Sequence, residues 1–268
     1  MTLKMVVTDM DGTFLSGYNS YNEERFARVF TELKKREIPL VIATGNNMKR
    51  LTDLFPNHAN QLTFIAENGA QLVHRGEELY SLFMDMTEQE QLLDFLEDSF
   101  SDEHLFLSGK DRIYILSSLP VEQKNLLSPF FNRMEVIPHL NQVANQPIYR
   151  ITMQVEEDFN RKTAMISQRL AGTNLRLVET GFNCFDILPK AVHKAVGLKF
   201  LMKEWQISPS EIMVFGDSAN DLEMLSLVDQ SYAMANATDV VKKVANFMAP
   251  ANTEDGVLRV LESFLGGK

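Results

Sequence analysis

The sequence predicts an α/β protein: a doubly wound parallel sheet into which an α+β domain is inserted. Three observations carry this. Near both ends of the chain, short apolar, β-branched runs stop at Asp or Gly and give way to stretches of helical spacing, as in "MVVTDMDGT" from Met5 and "EIMVFGDSANDLEML" from Glu211. Buried strands that alternate with helices indicate a parallel sheet covered on both faces. Between roughly Met84 and Ile187 the pattern changes to amphipathic helices and strands of alternating polarity, as an insertion would show. The expected division is 1–84 with 188–268 for the core and 85–187 for the insert.

Met5 to Val7 reads as a buried strand. Asn22 to Arg36 has helical spacing, with Phe26, Val29, Phe30 and Leu33 on one face. Ile38 to Gly45 is a second strand, "MKRLTDLF" a short helix closed by Pro56, and Thr63 to Ala70 a third strand with an Asn-Gly turn, followed by a hairpin through "QLVHRGEELYSL". In the insert, "TEQEQLLDFLEDSF" and "EEDFNRKTAMISQRL" predict helices, and "RIYILSS", "IYRITMQV" and "LRLVET" predict half-exposed strands. After it come a strand and helix in "EIMVFGDSANDLEMLSLV", a short strand in "SYAMANA", and helices in "TDVVKKVA" and "GVLRVLESFL".

At 268 residues the chain is comfortable for two domains and long enough for a sizeable core. Its net charge of −10 is the opposite of a nucleic-acid-binding footprint. The single cysteine, Cys184, excludes an intrachain disulfide and reads as a small packed residue. The first residues meet Asp9 before an apolar signal region can form, and no apolar run approaches the ~20 residues of a membrane span. The expectation is a cytoplasmic protein without nucleic-acid or membrane partners, compatible with a monomer.

Four polar stretches lie where strands end: Asp9-Met10-Asp11-Gly12-Thr13, Thr44-Gly45, Lys194 at the head of "HKAVGLKFL", and Gly216-Asp217-Ser218-Ala219-Asn220-Asp221. In a parallel sheet the carboxyl ends of strands line one crevice, so the four can converge. Asp9 to Thr44 is 35 residues and Lys194 to Asp217 is 23, each close to one crossover unit. Clustering Asp9, Asp11 and Asp217 costs like-charge repulsion that a hard divalent cation such as Mg²⁺ relieves. A cation plus a lysine suits a phosphoryl dianion. Thr44 adds a hydroxyl, and Gly12 and Gly45 let backbone N–H groups approach. Residues i and i+2 of an extended segment point the same way, so Asp9 can attack phosphorus while Asp11 handles protons.

These motifs, in this order, resemble the haloacid dehalogenase-like phosphohydrolases. "AENGA", the position of the insert, "AMANA" and "DGV" resemble the Cof-type subfamily with a class IIB cap. "VVTDMDGTFL", "YNEERF", "ATGNN" and "GFNCFDILPKAVHKAVGL" are similar to its YbiV-like bacterial sugar phosphatases. The resemblance implies a Rossmann-like core and a cap that closes over a small phosphorylated metabolite. It implies Mg²⁺ held by the Asp9 side chain, the Asp11 backbone carbonyl and Asp217. Asp9 would be the nucleophile and Asp11 the acid/base, with Thr44 and Lys194 on the phosphoryl group. Asn220 and Asp221 would support the phosphate, the metal waters and the lysine. Lys190, Lys199 and Lys203 lie close to Lys194, and only the resemblance singles it out.

The sequence departs from the Cof-type pattern at Asn46, where many members carry Arg, and at Ala195, where Gly often follows the lysine. Asn46 suits a neutral sugar hydroxyl better than a second anion. Asn183 and Phe182, at the expected return from the insert, are further candidates for substrate contact. "DMDGT" taken alone reads better as an Asx or Asp-Gly turn after a strand, and the motifs together carry the functional reading. As a calcium loop starting at Asp9 it fails, because Phe14 and Ser20 stand where Gly and Glu are required. The reading is a Mg²⁺-dependent phosphatase for small sugar phosphates acting through an aspartyl-phosphate on Asp9. The alternatives are a phosphotransferase or mutase using the same intermediate, a flavin or pyridoxal phosphate phosphatase, and a non-enzymatic receiver-like module.

Overall fold

The computed structural model describes residues 2–17, 20–127, 133–181 and 183–266. The chain is an α/β protein that divides into two compact units, Met1–Ser81 with His193–Lys268, and Leu82–Val192. The crossings lie at Ser81/Leu82 and Val192/His193 rather than at 84/85 and 187/188. The second is late because the chain leaves the insert through a sheet strand that runs to Pro189, and the next core helix starts only at Lys194.

The first unit is built on β1 (Met5–Thr8), β2 (Leu40–Ala43), β3 (Thr63–Ala66), β4 (Gln71–His74), β5 (Glu77–Ser81), β12 (Ile212–Gly216), β13 (Gln230–Met234) and β14 (Phe247–Ala249). Their order is β14-β13-β12-β1-β2-β3-β4-β5. The strands from β14 to β3 are parallel, and β4 and β5 add an antiparallel edge. β1, β2 and β3 are buried at every position, which is why their sequences are apolar runs rather than alternations.

Helices α1 (Glu23–Lys35), α2 (Met48–Leu54), α6 (Lys194–Glu204), α7 (Leu222–Leu225), α8 (Asp239–Val244) and α9 (Gly256–Gly266) complete this unit. α1 buries Phe26, Val29, Phe30 and Leu33, and Asn22 caps it by accepting the Arg25 N–H at 3.0 Å. The third strand ends at Ala66 rather than Ala70, because Glu67, Asn68 and Gly69 all take positive φ (49°, 55° and 101°) and turn the chain into β4. The hairpin between β4 and β5 turns on Arg75 and Gly76, also left-handed at 51° and 86°, as a two-residue hairpin turn requires.

The second unit holds a six-stranded sheet ordered β10-β11-β9-β6-β7-β8, from β6 (His104–Gly109), β7 (Ile113–Leu116), β8 (Met134–Ile137), β9 (Ile148–Gln154), β10 (Leu175–Gly181) and β11 (Cys184–Pro189). Its helices are α3 (Met86–Phe100), α4 (Val121–Leu127) and α5 (Phe159–Arg169). Leu93, Leu96, Leu107, Ile151, Phe185 and Ile187 lie in its core. β6, β8 and β11 carry no clear alternation in the sequence. β11 is buried on both faces from Phe185 to Leu188, with Asp186 among the buried residues, so "CFDIL" does not alternate. Half-buried Cys184 opens that strand, its thiol pushed above the ordinary value by burial.

Candidate active site

The register of the core sheet decides where the polar stretches fall. Thr8 of β1 lies opposite Phe215 of β12 and Ile42 of β2, so Asp9, Asp217 and Thr44 emerge from neighbouring strands at one edge. Asp9 is extended (φ −65°, ψ 167°) and its N–H donates to the Phe215 carbonyl at 3.0 Å. The chain then makes a wide turn over Met10–Phe14, closed by Leu15 N–H to the Met10 carbonyl at 2.9 Å. Met10 and Phe14 are buried, Phe14 edge-on to Phe26 at 5.7 Å, and these anchors hold the loop while Asp11 faces outward. Gly12 sits at φ 78°, and a Cβ there would fall 2.6 Å from Asp217 Oδ2.

Lys194 opens α6 and is 1% exposed. Its Nζ donates to Asp9 Oδ1 at 2.5 Å and to Asp221 Oδ1 at 2.6 Å. Asp221 Oδ2 accepts the N–H groups of Asp217 and Ser218 at 3.0 and 3.1 Å, so both of its oxygens are engaged. Asp217 Oδ1 accepts from the Thr13 hydroxyl at 2.7 Å. Oxygens of Asp9, Asp217 and Asp221 lie within 4.8 Å of one another.

One ammonium thus faces three carboxyl groups. Burial opposes the Lys194 charge, but Asp221 and Asp9 outweigh it and hold the amine above its ordinary value. Burial holds Asp9 well above the usual carboxylate range; Lys194 pulls it down, and Asp221 and Asp217 push it up. Asp217 is raised too, first by burial. A lone lysine does not balance this set. The donor chemistry fits a hard divalent cation on the Asp9 and Asp217 carboxylates, with Asp221 occupied in support.

The sequence reading grouped Asp11 with Asp9 and Asp217; the structure places its side chain elsewhere. Asp9 is 7% and Asp11 51% exposed at the side chain, because the chain leaves the extended conformation between them. Asp11 Oδ2 accepts from Asn46 Nδ2 at 2.6 Å, and Asp11 Oδ1 from Arg50 Nη2 at 2.8 Å. Asn46 Nδ2 also reaches Thr44 Oγ1 at 2.7 Å, and the Asn46 N–H reaches the same oxygen at 3.2 Å. The reading of Asn46 as a residue left to meet a neutral hydroxyl is therefore incomplete. Its amide is tied to Thr44, Asp11 and Arg50, and Arg50 returns a guanidinium to the neighbourhood.

Thr44 is 1% exposed, and its N–H donates to the Ile65 carbonyl at 2.8 Å. A Cβ on Gly45 would meet the Asn68 amide at 3.1 Å. Asn220 Nδ2 donates to Asn68 Oδ1 at 3.3 Å, and Asn220 Oδ1 accepts from Ser218 at 2.7 Å. Ala195 is fully buried on α6. Asn183 belongs to the second unit, at φ 56° in the turn between β10 and β11 rather than at the return to the core. Phe182 lies outside the described residues.

Sequence reasoning missed Arg50, Asn68 and Asn236. Arg50 stands four residues past Asn46, just inside the N-terminus of α2, and that spacing was the available signal. Asn68 was read only as a turn residue. Asn236 Nδ2 donates to the Gly12 carbonyl at 2.8 Å from a loop 224 residues away, which no local pattern announces. A cavity of about 370 Å³ lined by Lys34, His74 and Trp205 also touches Leu40 and Thr63, the first residues of β2 and β3, at the opposite ends of those strands.

This constellation on a doubly wound sheet defines a phosphoryl-handling hydrolase of one family. The haloacid dehalogenase-like hydrolase family matches residues 6–261, nearly the whole chain, and the chain belongs to it as a Cof-type phosphatase. Among relatives, the 5-amino-6-(5-phospho-D-ribitylamino)uracil phosphatase YbjI of Escherichia coli K12 is 32% identical over 99% of this chain and 97% of its own. The like-named YitU of Bacillus subtilis 168 is 23% identical over 97% of each chain. The crystal structure of SMU.1108c from Streptococcus mutans UA159 superposes with a TM-score of 0.86 at 35% identity, covering 99% of this chain and 100% of that one. Among the described residues no helix is long and apolar enough to cross a membrane.

Proposed function

We propose that the protein is a Mg²⁺-dependent phosphatase that releases phosphate from small sugar or sugar-alcohol monophosphates through a phosphoryl group carried on Asp9. The observation that carries this reading is the buried Asp9 carboxylate, held against Lys194 at the carboxyl edge of the sheet beside Asp217. A carboxylate of fixed orientation next to a cation is suited to attack phosphorus, because the lysine offsets charge on nucleophile and phosphoryl oxygens alike.

In the reading, an Asp9 oxygen bonds to phosphorus and the ester oxygen leaves with a proton from Asp11. Asp11 then takes a proton from water, the water oxygen attacks phosphorus, and phosphate departs from Asp9. Thr44, Lys194 and the backbone N–H groups around Gly12 and Gly45 contact the phosphoryl oxygens. Asp9, Asp217 and the Asp11 carbonyl would hold Mg²⁺, which supplies positive charge to those oxygens when bound. Asn220 and Asp221 keep the lysine and the 217–221 loop in place. Choice among esters is assigned to the inserted unit, as the family resemblance implies.

Two relatives are named for a substrate whose phosphate sits on a ribityl chain. That ester joins a sugar-alcohol phosphate to a pyrimidine and unites the sugar-phosphate and flavin-related readings, so it belongs first in the panel. The test is phosphate release with Mg²⁺ or EDTA from this compound, hexose and pentose phosphates, nucleotides, and flavin and pyridoxal phosphates. EDTA-sensitive release centred on sugar or ribityl esters, lost in a folded Asp9→Asn variant, supports the proposal. No release from any ester, or full activity in Asp9→Asn, overturns it. Transfer to added acceptor sugar would move the reaction to a phosphotransferase.

A further inference from the structure

We infer that Arg50 is a positioning residue for this reaction: together with Asn46 it fixes the carboxyl group of Asp11, and so governs proton delivery to the leaving oxygen. The inference rests on the proposed roles of Asp9 and Asp11.

Asp11, unlike Asp9, Thr44 and Lys194, is not fixed by burial. Its side chain is half exposed on a loop, so packing alone leaves its rotamer open. Its contacts supply what packing does not. Arg50 Nη2 donates to Oδ1 at 2.8 Å, Arg50 Nη1 reaches Oδ2 at 3.4 Å, and Asn46 Nδ2 donates to Oδ2 at 2.6 Å. Arg50 Nη1 also donates to Asn46 Oδ1, so one guanidinium orients both the carboxylate and the amide that holds its other oxygen. The planar fork of Arg allows this two-point grip, and an ammonium does not reproduce it.

The grip is itself anchored. Asn47 caps α2 by accepting the Arg50 N–H at 3.0 Å, and Arg50 is only 17% exposed at the side chain. At its other end Asn46 is bonded to Thr44 Oγ1. A chain of contacts therefore runs from the helix cap through Arg50 and Asn46, which together hold Asp11, to the threonine expected on the phosphoryl group. The guanidinium reaches this site from four residues past Asn46, one helical turn into α2.

Leaving-group dependence distinguishes a positioning role from a structural one. An alkyl ester needs its leaving oxygen protonated and a 4-nitrophenyl ester hardly does, so loss of a positioned acid affects the first far more. Kinetics of Arg50→Ala and the milder Arg50→Gln are measured on 4-nitrophenyl phosphate and on an alkyl phosphate, glycerol 3-phosphate, beside Asp11→Asn as the benchmark. The expected result is a fall of about tenfold in the alkyl-to-aryl ratio of kcat, in the same direction as Asp11→Asn. A smaller fall is expected for Arg50→Gln. Equal losses on both esters, or a change confined to KM, overturn the inference while the phosphatase reading stands. Where the wild-type enzyme prefers another alkyl ester of the panel above, that ester replaces glycerol 3-phosphate; absence of turnover on every ester overturns both.

Discussion

Lys194 and Asp9 meet at 2.5 Å between Nζ and Oδ1, although their side chains are only 1% and 7% exposed. A pair this deep is a poor device for stability, because desolvating both charges costs as much as their attraction returns. Asp221 makes it tenable by giving the same ammonium a second partner at 2.6 Å. Lys194→Met should therefore do two things. It should abolish turnover, and it should destabilise the metal-free protein by about 3 kcal/mol, the cost of stranding buried carboxylates. Denaturant unfolding in EDTA measures the second, and a variant as stable as wild type would show that Lys194 is not the balancing charge.

The raised carboxyl groups give a pH dependence with a definite sign. Burial lifts Asp217 above its ordinary 3.8, and lifts Asp9 further. The folded chain keeps these protons at pH values where the unfolded chain has released them. The stability contributed by the site therefore falls as pH rises from the ordinary carboxylate range through the raised folded values. A divalent cation binds the ionised carboxylates and opposes that fall. The gain in Tm on adding Mg²⁺ should grow as the pH rises above the ordinary carboxylate range. A gain independent of pH would place the cation on other groups.

Gly12 and Gly172 have nearly the same left-handed φ, 78° and 82°, but different surroundings. A Cβ on Gly12 would lie 2.6 Å from Asp217 Oδ2, whereas one on Gly172 would meet nothing within 4 Å. Gly172→Ala reports the backbone cost alone, about 1 kcal/mol. Gly12→Ala adds displacement of Asp217 or of the loop, and kcat/KM should fall about a hundredfold, the scale of a misplacement near 1 Å at a reacting centre. Similar activity in the two variants would show that the loop yields without disturbing the chemistry.

The sequence made the core sheet legible because its central strands are buried at every position and α1 and α9 carry a clear apolar face. Asp217 and Thr44 were legible from the pattern itself, because each follows a strand and the topology brings those ends together; Lys194 and Asp221 were singled out only by the family resemblance. Asp11 was misplaced because the rule for extended segments fails where a wide turn begins at Met10. Asn236 and Arg50 escaped for a different reason. Each acts through a contact with the nucleophile loop across 224 and 39 residues of sequence; nothing in "AMANA" marks the amide, and only the four-residue spacing from Asn46 hints at the guanidinium.

Asn68 offers the sharpest separation of backbone from side chain. It sits at φ 55° between two other left-handed residues, and its N–H donates to the Thr44 carbonyl at 2.9 Å. Its amide lies against Gly45 and accepts from Asn220 at 3.3 Å, so from the turn after β3 it links the loop after β2 to the loop after β12. Its neighbour Gly69 packs so closely on His193, the residue before Lys194, that a Cβ there would fall 2.3 Å from the His193 carbonyl oxygen. The turn therefore supports the start of α6, and the amide bridges the two loops. Asn68→Gly keeps the left-handed turn and removes the bridge; Asn68→Ala removes the bridge and also strains the turn. Both should lower kcat/KM by about tenfold if the bridge positions groups at the reacting centre. Only Asn68→Ala should lose about 1 kcal/mol of stability, the cost of a left-handed residue that has a Cβ but no local hydrogen bond. Full activity in Asn68→Gly would assign the amide to the turn alone and leave the two loops to be held by their own strands.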